Sequence, residues 1–317
     1  MTDVFAQLPH PLLAPVIKLA RQAGEAILPF WRANVAVNTK SDDSPVTAAD
    51  LAAHHVLVDG LLALAPDIPV LSEEDADIPV SERAQWQRWW LVDPLDGTKE
   101  FISGSEEFTV NVALIENGRV VFGVVSMPTN NRAYFGGDGL GAWRSDDDNH
   151  LAPISVRNAP AEAFTVVASR RHSSPEQERL LGGLKEAMGS LELANIGSSL
   201  KFCLLAEGAA DCYPRLAPTS QWDTAAAQGV LEGAGGEVGL REVCGAQAVQ
   251  AVQLVECGDG FDGVGCEGRV CDEAAAVGHE GGPEGGVGDG GQGGEGGVDG
   301  PGVVDGGGGG VGCCGEC

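Results

Sequence analysis

Basic residues are scarce in this sequence. Against 46 aspartates and glutamates stand only 19 lysines and arginines, a formal net charge of −27. Such a chain repels a nucleic-acid backbone or an anionic membrane, so neither is expected as an electrostatic partner. Anionic small molecules stay admissible, because bound divalent cations invert the local field. Long apolar runs are also lacking: no stretch of 18 apolar residues occurs, so no spanning helix is expected. The opening "MTDVFAQLPHPLLAPVIKLARQAG" has no basic segment ahead of its apolar residues and reads as mature helix, not as a secretion signal. Cysteine is nearly missing from the first 238 residues, where only Cys203 and Cys212 occur, as expected in a reducing compartment. The protein therefore reads as cytoplasmic. Its 317 residues suffice for one large or two small domains.

Composition changes abruptly near residue 238. Residues 239–317 carry 28 of the 47 glycines, seven of the nine cysteines and 14 acids, with two arginines and no lysine, tryptophan or tyrosine. The final stretch, "GGPEGGVGDGGQGGEGGVDGPGVVDGGGGGVGCCGEC", shows neither a 3.6 nor a 2.0 apolar period. Glycine at that density has too high an ordering entropy to pack a core, so this tail is expected to be disordered. Cys313 and Cys314 are adjacent, and Cys257, Cys266 and Cys271 lack paired C-x-x-C spacing, so the tail cysteines read as incidental rather than as a zinc site.

Periodicity organises residues 1–238, with lobes expected at about 1–150 and 151–238. Leu12, Val16, Ala20, Ala23, Ile27 and Phe30 recur at helical spacing, predicting a helix over 11–32. A short strand is expected at 35–40. Ser44 as N-cap with Pro45 at the first helical position predicts a second helix to about Leu64, with Asp50 in its early turns. "IPVLSEED" (68–75) reads as a strand ending in acids, and "WWLVD" as another. Glu116-Asn117-Gly118 between two apolar runs predicts a hairpin. "RAYFGG" and "GAWRS" continue the antiparallel pattern, and strands and helices then alternate to the helix "SQWDTAAAQGVLEGAGG". Mixed helices and antiparallel strands predict a layered α/β or α+β sandwich with two sheets, helices lying between and outside them.

Five acids stand at predicted element ends: Asp50, Glu73, Asp93, Asp96 and Asp223. In "LVDPLDGT" the strand reaches Asp93, Pro94 stops the ladder, and Gly97 permits a tight turn that brings Asp96 beside it. Carboxylates at element ends can converge, and hard oxygen ligands of this kind suit Mg²⁺. Each also has an ordinary reading: Asp223 behind Ser220 favours a helix start, and Glu73 with Glu74 and Asp75 makes an acidic loop. His54 and His55 read as ordinary helix residues, Trp89 and Trp90 as core or rim, and Cys203 as a small hydrophobe.

These segments resemble the inositol monophosphatase superfamily. "LVDPLDGT" matches its D-P-[ILV]-D-G-T signature, "QWDTAAAQGVLEGAGGEV" its W-D-x-A segment with a following A-G-G, and "DDSPVTAAD" and "LSEED" its two other acidic segments. Within it, "DGTKEFI", "GSSLKFCLLAEGAADCYPR" and "PTSQWDTAAAQ" resemble the CysQ-type 3′(2′),5′-bisphosphate nucleotidases, over roughly residues 12–238. The resemblance implies two or three Mg²⁺ ions held by Glu73, Asp93, Asp96, Asp223 and the Leu95 carbonyl. It implies catalytic roles for Asp50 and Thr98, a pair orienting the attacking water, and for Glu73. Gly97 and Thr98 would offer N–H groups to the phosphate, and Glu73, Leu95, Asp96 and Asp223 would also border the substrate. Ser198, Ser199, Leu200 and Lys201 fall where such enzymes contact the nucleotide, with Tyr213 and Arg215 close by. The implied substrate is 3′-phosphoadenosine 5′-phosphate, giving AMP and phosphate, with the 5′-phosphosulfate also accepted, in sulfur assimilation. Peripheral placement at the cytoplasmic face of the inner membrane, ascribed to some members, finds no basic amphipathic helix here.

Two other readings stay open: an inositol-phosphate or sugar-phosphate phosphatase, and a non-catalytic metal- or nucleotide-binding protein. The likeness stops after "AGGEV", where members continue to a P-L turn and an N-P ending. A shifted reading frame from about residue 239 accounts for the loss of lysine, tyrosine and tryptophan. It predicts that the strands closing the second sheet are missing and that the chain is less stable and less active for it. The sequence does not fix the oligomeric state.

Overall fold

Apolar spacing near the N-terminus folds much as expected. The computed structural model describes residues 5, 7–33, 37–39, 45–146, 150–157, 163–168, 175–215, 219–241 and 252–257. Helix α1 spans Leu13–Ile27 and buries Val16, Ile17, Ala20, Ala23 and Ile27 along one face, before a 3-10 turn at Leu28–Phe30. A small hairpin of β1 (Val37–Thr39) and β2 (Pro45–Thr47) leads into α2, Ala48–Leu64. The expected start of α2 is corrected here. Pro45 lies in β2, and Thr47 is the cap, its Oγ1 accepting from the Ala49 N–H. The proposed cap, Ser44, lies outside the described residues. Thr47 wins because Asp50 stands three residues on and accepts the Thr47 N–H at 2.8 Å, closing a reciprocal capping box.

Among the described residues, seven strands form one sheet in chain order: β3 (Val70–Ser72), β4 (Arg88–Asp96), β5 (Thr109–Glu116), β6 (Arg119–Met127), β7 (Arg132–Gly137), β8 (Gly141–Ser145) and β9 (Leu151–Ile154). Within this sheet, among the described residues, only β3 and β4 pair in parallel. The β5–β6 turn is the expected one, with Asn117 and Gly118 at φ of 53° and 74°, the left-handed pair that a two-residue hairpin loop demands. Short helices α3 (Val80–Arg83) and α4 (Thr98–Ile102) flank β4.

The rest of the chain runs β10 (Phe164–Ala168), α5 (Pro175–Met188), β11 (Leu191–Asn195), α6 (Leu200–Ala206), β12 (Cys212–Arg215), α7 (Gln221–Gly233), β13 (Gly236–Arg241) and β14 (Val252–Cys257). Its sheet has the order β11-β10-β12-β14-β13. The expectation that the closing strands are missing is therefore corrected. β13 runs across residue 238, and β14 sits between β12 and β13, pairing antiparallel with both. A ladder needs only backbone N–H and C=O groups, which "VQLVEC", free of proline, supplies despite its altered composition. The remainder of the proposed tail lies outside the described residues.

Two cores sandwich the larger sheet. On one face Trp90, Val92, Val110, Val112, Leu114 and Phe122 meet α1 and α2. On the other, Leu91, Ala113, Ile115, Val125 and Tyr134 meet α6 and α7, which also pack on the second sheet. Helices thus lie between the sheets and outside them, as the layered reading expected.

Candidate active site

The D-P-L-D segment owes its geometry to a bulge. Asp93 pairs with Asn111 and Asp96 with Thr109, so three steps along β4 match two along β5. Without the extra residue, side chains three apart would face opposite ways; the bulge puts Asp93 and Asp96 on the α6/α7 face together. Pro94, which has no N–H to give, sits inside the irregularity. Asp93 Oδ1 accepts the Leu95 N–H at 3.0 Å, tightening the turn. Gly97 follows at φ 93°, where a Cβ would stand 3.1 Å from the Glu107 carbonyl oxygen.

Helix caps fix two more acids. Asp50 and Asp223 both occupy the third position of a helix and close a capping box. Asp50 Oδ2 accepts from Thr47 N–H and Oγ1 at 2.8 and 2.7 Å, and Oδ1 accepts from Thr98 Oγ1 at 3.3 Å. Asp223 Oδ2 accepts from Thr219 Oγ1 and Ser220 N–H at 2.9 and 3.1 Å. Glu73 follows β3, its N–H bonded to the Val92 carbonyl at 3.0 Å, which lays it beside Asp93.

Repulsion among these acids is severe. Burial drives the Asp93 carboxyl far above its ordinary value, and the charges of Glu73, Asp96 and Asp223 raise it further, as does a hydrogen bond shared with Glu73. Burial, then Asp96, lifts Asp223 to about 6. One buried and three half-buried carboxylates in one neighbourhood fit a site for divalent cations, which prefer charged oxygen donors. As they stand, no three acidic, histidine or cysteine side chains among the described residues close on one point tightly enough to hold an ion. Protein donors hold two of the carboxylates in place: Thr219 and Ser220 on Asp223, and Ser199 on Asp96.

Around this cluster the second lobe contributes a loop and α6. Ser198 has φ 49°, and its buried Oγ finds no partner among the described residues. Its Cβ lies 3.4 Å from where a Gly97 Cβ would stand. Lys201 is buried, donates to the Ser198 carbonyl at 2.8 Å and lies over the Tyr213 ring. Burial pushes its ammonium down, with Arg215 adding to this, while Asp96, Glu100 and Asp223 pull it back up. Arg215 donates to the Tyr213 hydroxyl at 3.3 Å. Of the other expected nucleotide contacts, Leu200 packs in the core, and Ser199, 2% exposed, bonds to Asp96. His54 bonds through Nδ1 to Ser72 Oγ, and Trp90 and Cys203 are buried in the cores.

Sequence reasoning passed over Thr47, Thr219, Thr109 and Asn111. Thr47 was legible as a cap three residues before an aspartate, and Thr219 lies just ahead of the Ser220 cap. Asn111 shows only as one polar residue in "TVNVALI".

Known proteins are similar to this chain over most of its length. A 3′(2′),5′-bisphosphate nucleotidase CysQ of Shigella flexneri is 50% identical over 230 residues, 72% of this chain and 89% of the relative. That of Escherichia coli K12 is 49% identical with the same coverage. A crystal structure of CysQ from Bacteroides thetaiotaomicron, a bacterial member of the inositol monophosphatase family, superposes with a TM-score of 0.65 at 36% identity, covering 78% of this chain and 97% of that one. An inositol monophosphatase structure from Thermotoga maritima gives 0.62 at 27% identity, covering 78% and 92%. Residues 8–258 match the profile of the inositol monophosphatase family, a span that takes in both sheets and all five acids. A match of that extent settles the kinship: this chain belongs to the inositol monophosphatase family.

Proposed function

We propose that the protein is a Mg²⁺-dependent phosphatase that removes the 3′-phosphate of 3′-phosphoadenosine 5′-phosphate, and of the corresponding phosphosulfate, in sulfur assimilation. The observation that carries this is the buried Asp93 ringed by the charges of Glu73, Asp96 and Asp223, an arrangement without purpose unless cations compensate it. Glu73, Asp93, Asp96, Asp223 and the Leu95 carbonyl would hold two or three ions. Bound there, the cations supply Lewis acidity that acidifies the attacking water and steadies the departing ester oxygen. Asp50 and Thr98 orient that water through their shared hydrogen bond, and the Gly97 and Thr98 N–H groups steady the phosphate. Ser198 has a hydroxyl free to bind substrate, and Lys201 and Arg215 offer cations to the second phosphate. The nucleotide preference draws on the identity to CysQ relatives.

Release of phosphate from 3′-phosphoadenosine 5′-phosphate, with and without Mg²⁺, tests the reading. Rates are expected to collapse without Mg²⁺ and to fall at least ~10³-fold in Asp93→Asn, since the loss falls on charge stabilisation in the transition state. Faster hydrolysis of inositol monophosphate would move the assignment to that substrate class. Mg²⁺-independent turnover would overturn the mechanism.

A further inference from the structure

Asp96 is held through one oxygen. Its Oδ2 accepts from the Ser199 N–H and the Ser199 Oγ, each at 2.5 Å, from Asn111 Nδ2 at 3.3 Å and from Thr109 Oγ1 at 3.4 Å. Asn111 spends its second amide hydrogen on Ser199 Oγ at 2.7 Å. The Ser199 hydroxyl also lies 3.0 Å from the Asp223 carbonyl oxygen, but it has one proton, and the charged carboxylate is the stronger acceptor. The direction of the network is thereby set: Asn111 to Ser199 to Asp96. Asn111 Oδ1 is left buried without a partner among the described residues. Turning the amide over would aim that oxygen at the Asp96 carboxylate and compete with it for the single Ser199 proton, so the side chain is held for its donors.

We infer that Asn111 and Ser199 are positioning residues that fix Asp96 for its cation, an inference resting on the metal-site reading above. Among the described residues the donors to Asp96 converge on Oδ2, which fixes the carboxylate and leaves Oδ1 for a metal. The partners come from opposite lobes. Asn111 projects from β5 of the larger sheet, directly across from Asp93, whereas Ser199 stands at the start of α6. Docking of the second lobe therefore finishes a ligand of the first. Ser199 then acts on the cation and not on the nucleotide. Outer partners of metal ligands typically contribute 10–100-fold to affinity.

The test is Mn²⁺ binding to metal-stripped protein, followed by the paramagnetic resonance of the free ion, beside a Mg²⁺ titration of activity. Ser199→Ala and Asn111→Ala are each expected to weaken Mn²⁺ binding about tenfold and to raise the Mg²⁺ needed for half-maximal rate by a similar factor. The KM for nucleotide at saturating Mg²⁺ should move less than about twofold, because uniform substrate binding is untouched. Ser199→Thr, which keeps the hydroxyl, should recover most of the lost Mn²⁺ affinity. Should an alanine variant fail to fold, Asn111→Ser, shorter but still a donor, is read against the same tenfold loss. Unchanged Mn²⁺ binding, or a raised nucleotide KM with unchanged Mg²⁺ demand, overturns the inference. Absence of Mn²⁺ binding in the unmodified protein would instead sink the metal site itself.

Discussion

Asp223 carries its charge reluctantly, and that reluctance has a measurable sign. Its carboxyl is raised from 3.8 to about 6 by burial first and then by Asp96. Between those values the native protein keeps a proton that the unfolded chain releases, so this group's contribution to stability falls as pH rises through the window and stays low above it. Asp93 acts in the same direction. Metal-stripped protein is therefore expected to melt higher at pH 5 than at pH 7.5, and added Mg²⁺ to raise the melting temperature more at pH 7.5. An equal Mg²⁺ shift at both values, followed by calorimetry, would contradict the account. Gly97 gives a second residue-scale prediction. At φ 93°, with the Glu107 carbonyl oxygen 3.1 Å from where a Cβ would stand, Gly97→Ala strains the turn. It should lower phosphate release more than tenfold while reducing stability by about 1–2 kcal/mol.

Among the elements, α7 depends on the absence of side chains. A Cβ on Gly229 would lie 2.7 Å from the Gly123 backbone nitrogen of β6, and one on Gly123 would lie 1.8 Å from the Ala226 carbonyl oxygen. Backbone faces backbone there, so neither side can yield cheaply. Gly229→Val is expected to lift the helix from the sheet, with a loss of about 3 kcal/mol or more by chemical denaturation. Because Asp223 starts the same helix, Mg²⁺ affinity should fall with it. The capping threonine of α2 tests the smaller element effect. Thr47→Val removes the acceptor for Ala49 and a donor to Asp50, so about 1 kcal/mol of stability should go. Activity should fall more than that loss of folded protein explains, since Asp50 loses an anchor. Helix α6 is fixed at both ends: Ser199 meets Asp96, while Glu207 accepts from Arg144 at 3.0 Å and from the Tyr134 hydroxyl at 3.2 Å.

For the whole molecule the decisive strands are β13 and β14. β13 pairs only with β14 among the described residues, and β14 also covers β12, which carries Tyr213 and Arg215. Truncation after Arg241 would leave β13 unpaired and expose β12 as an edge. That variant is expected to aggregate or lose activity, whereas truncation after Ala275, the limit of the first compact unit, should retain Mg²⁺-dependent phosphate release. Loss of activity in the longer form would assign a role to the Gly-rich segment. The shifted-frame proposal has its own check: one of the two other frames from about residue 239 should restore a P-L turn and an N-P ending.

Short-range chemistry made much of this protein legible in its sequence. Helical spacing located α1, the Asn117-Gly118 pair located a hairpin, and Asp93, Asp96 and Asp223 stood out because acids at the ends of apolar runs are hard to place otherwise. Those features depend on neighbours within a few residues, where periodicity and turn preference act. Contacts between distant segments were decided only in three dimensions. The bulge at Pro94 depends on register with β5, the glycine seam on α7 meeting β6, and the role of Ser199 on a partner 88 residues away at Asn111. Nothing local distinguishes Asn111 from any other polar residue in a strand. Its meaning arises because a buried carboxylate needs donors, and only the packed fold determines which side chains are near enough to give them.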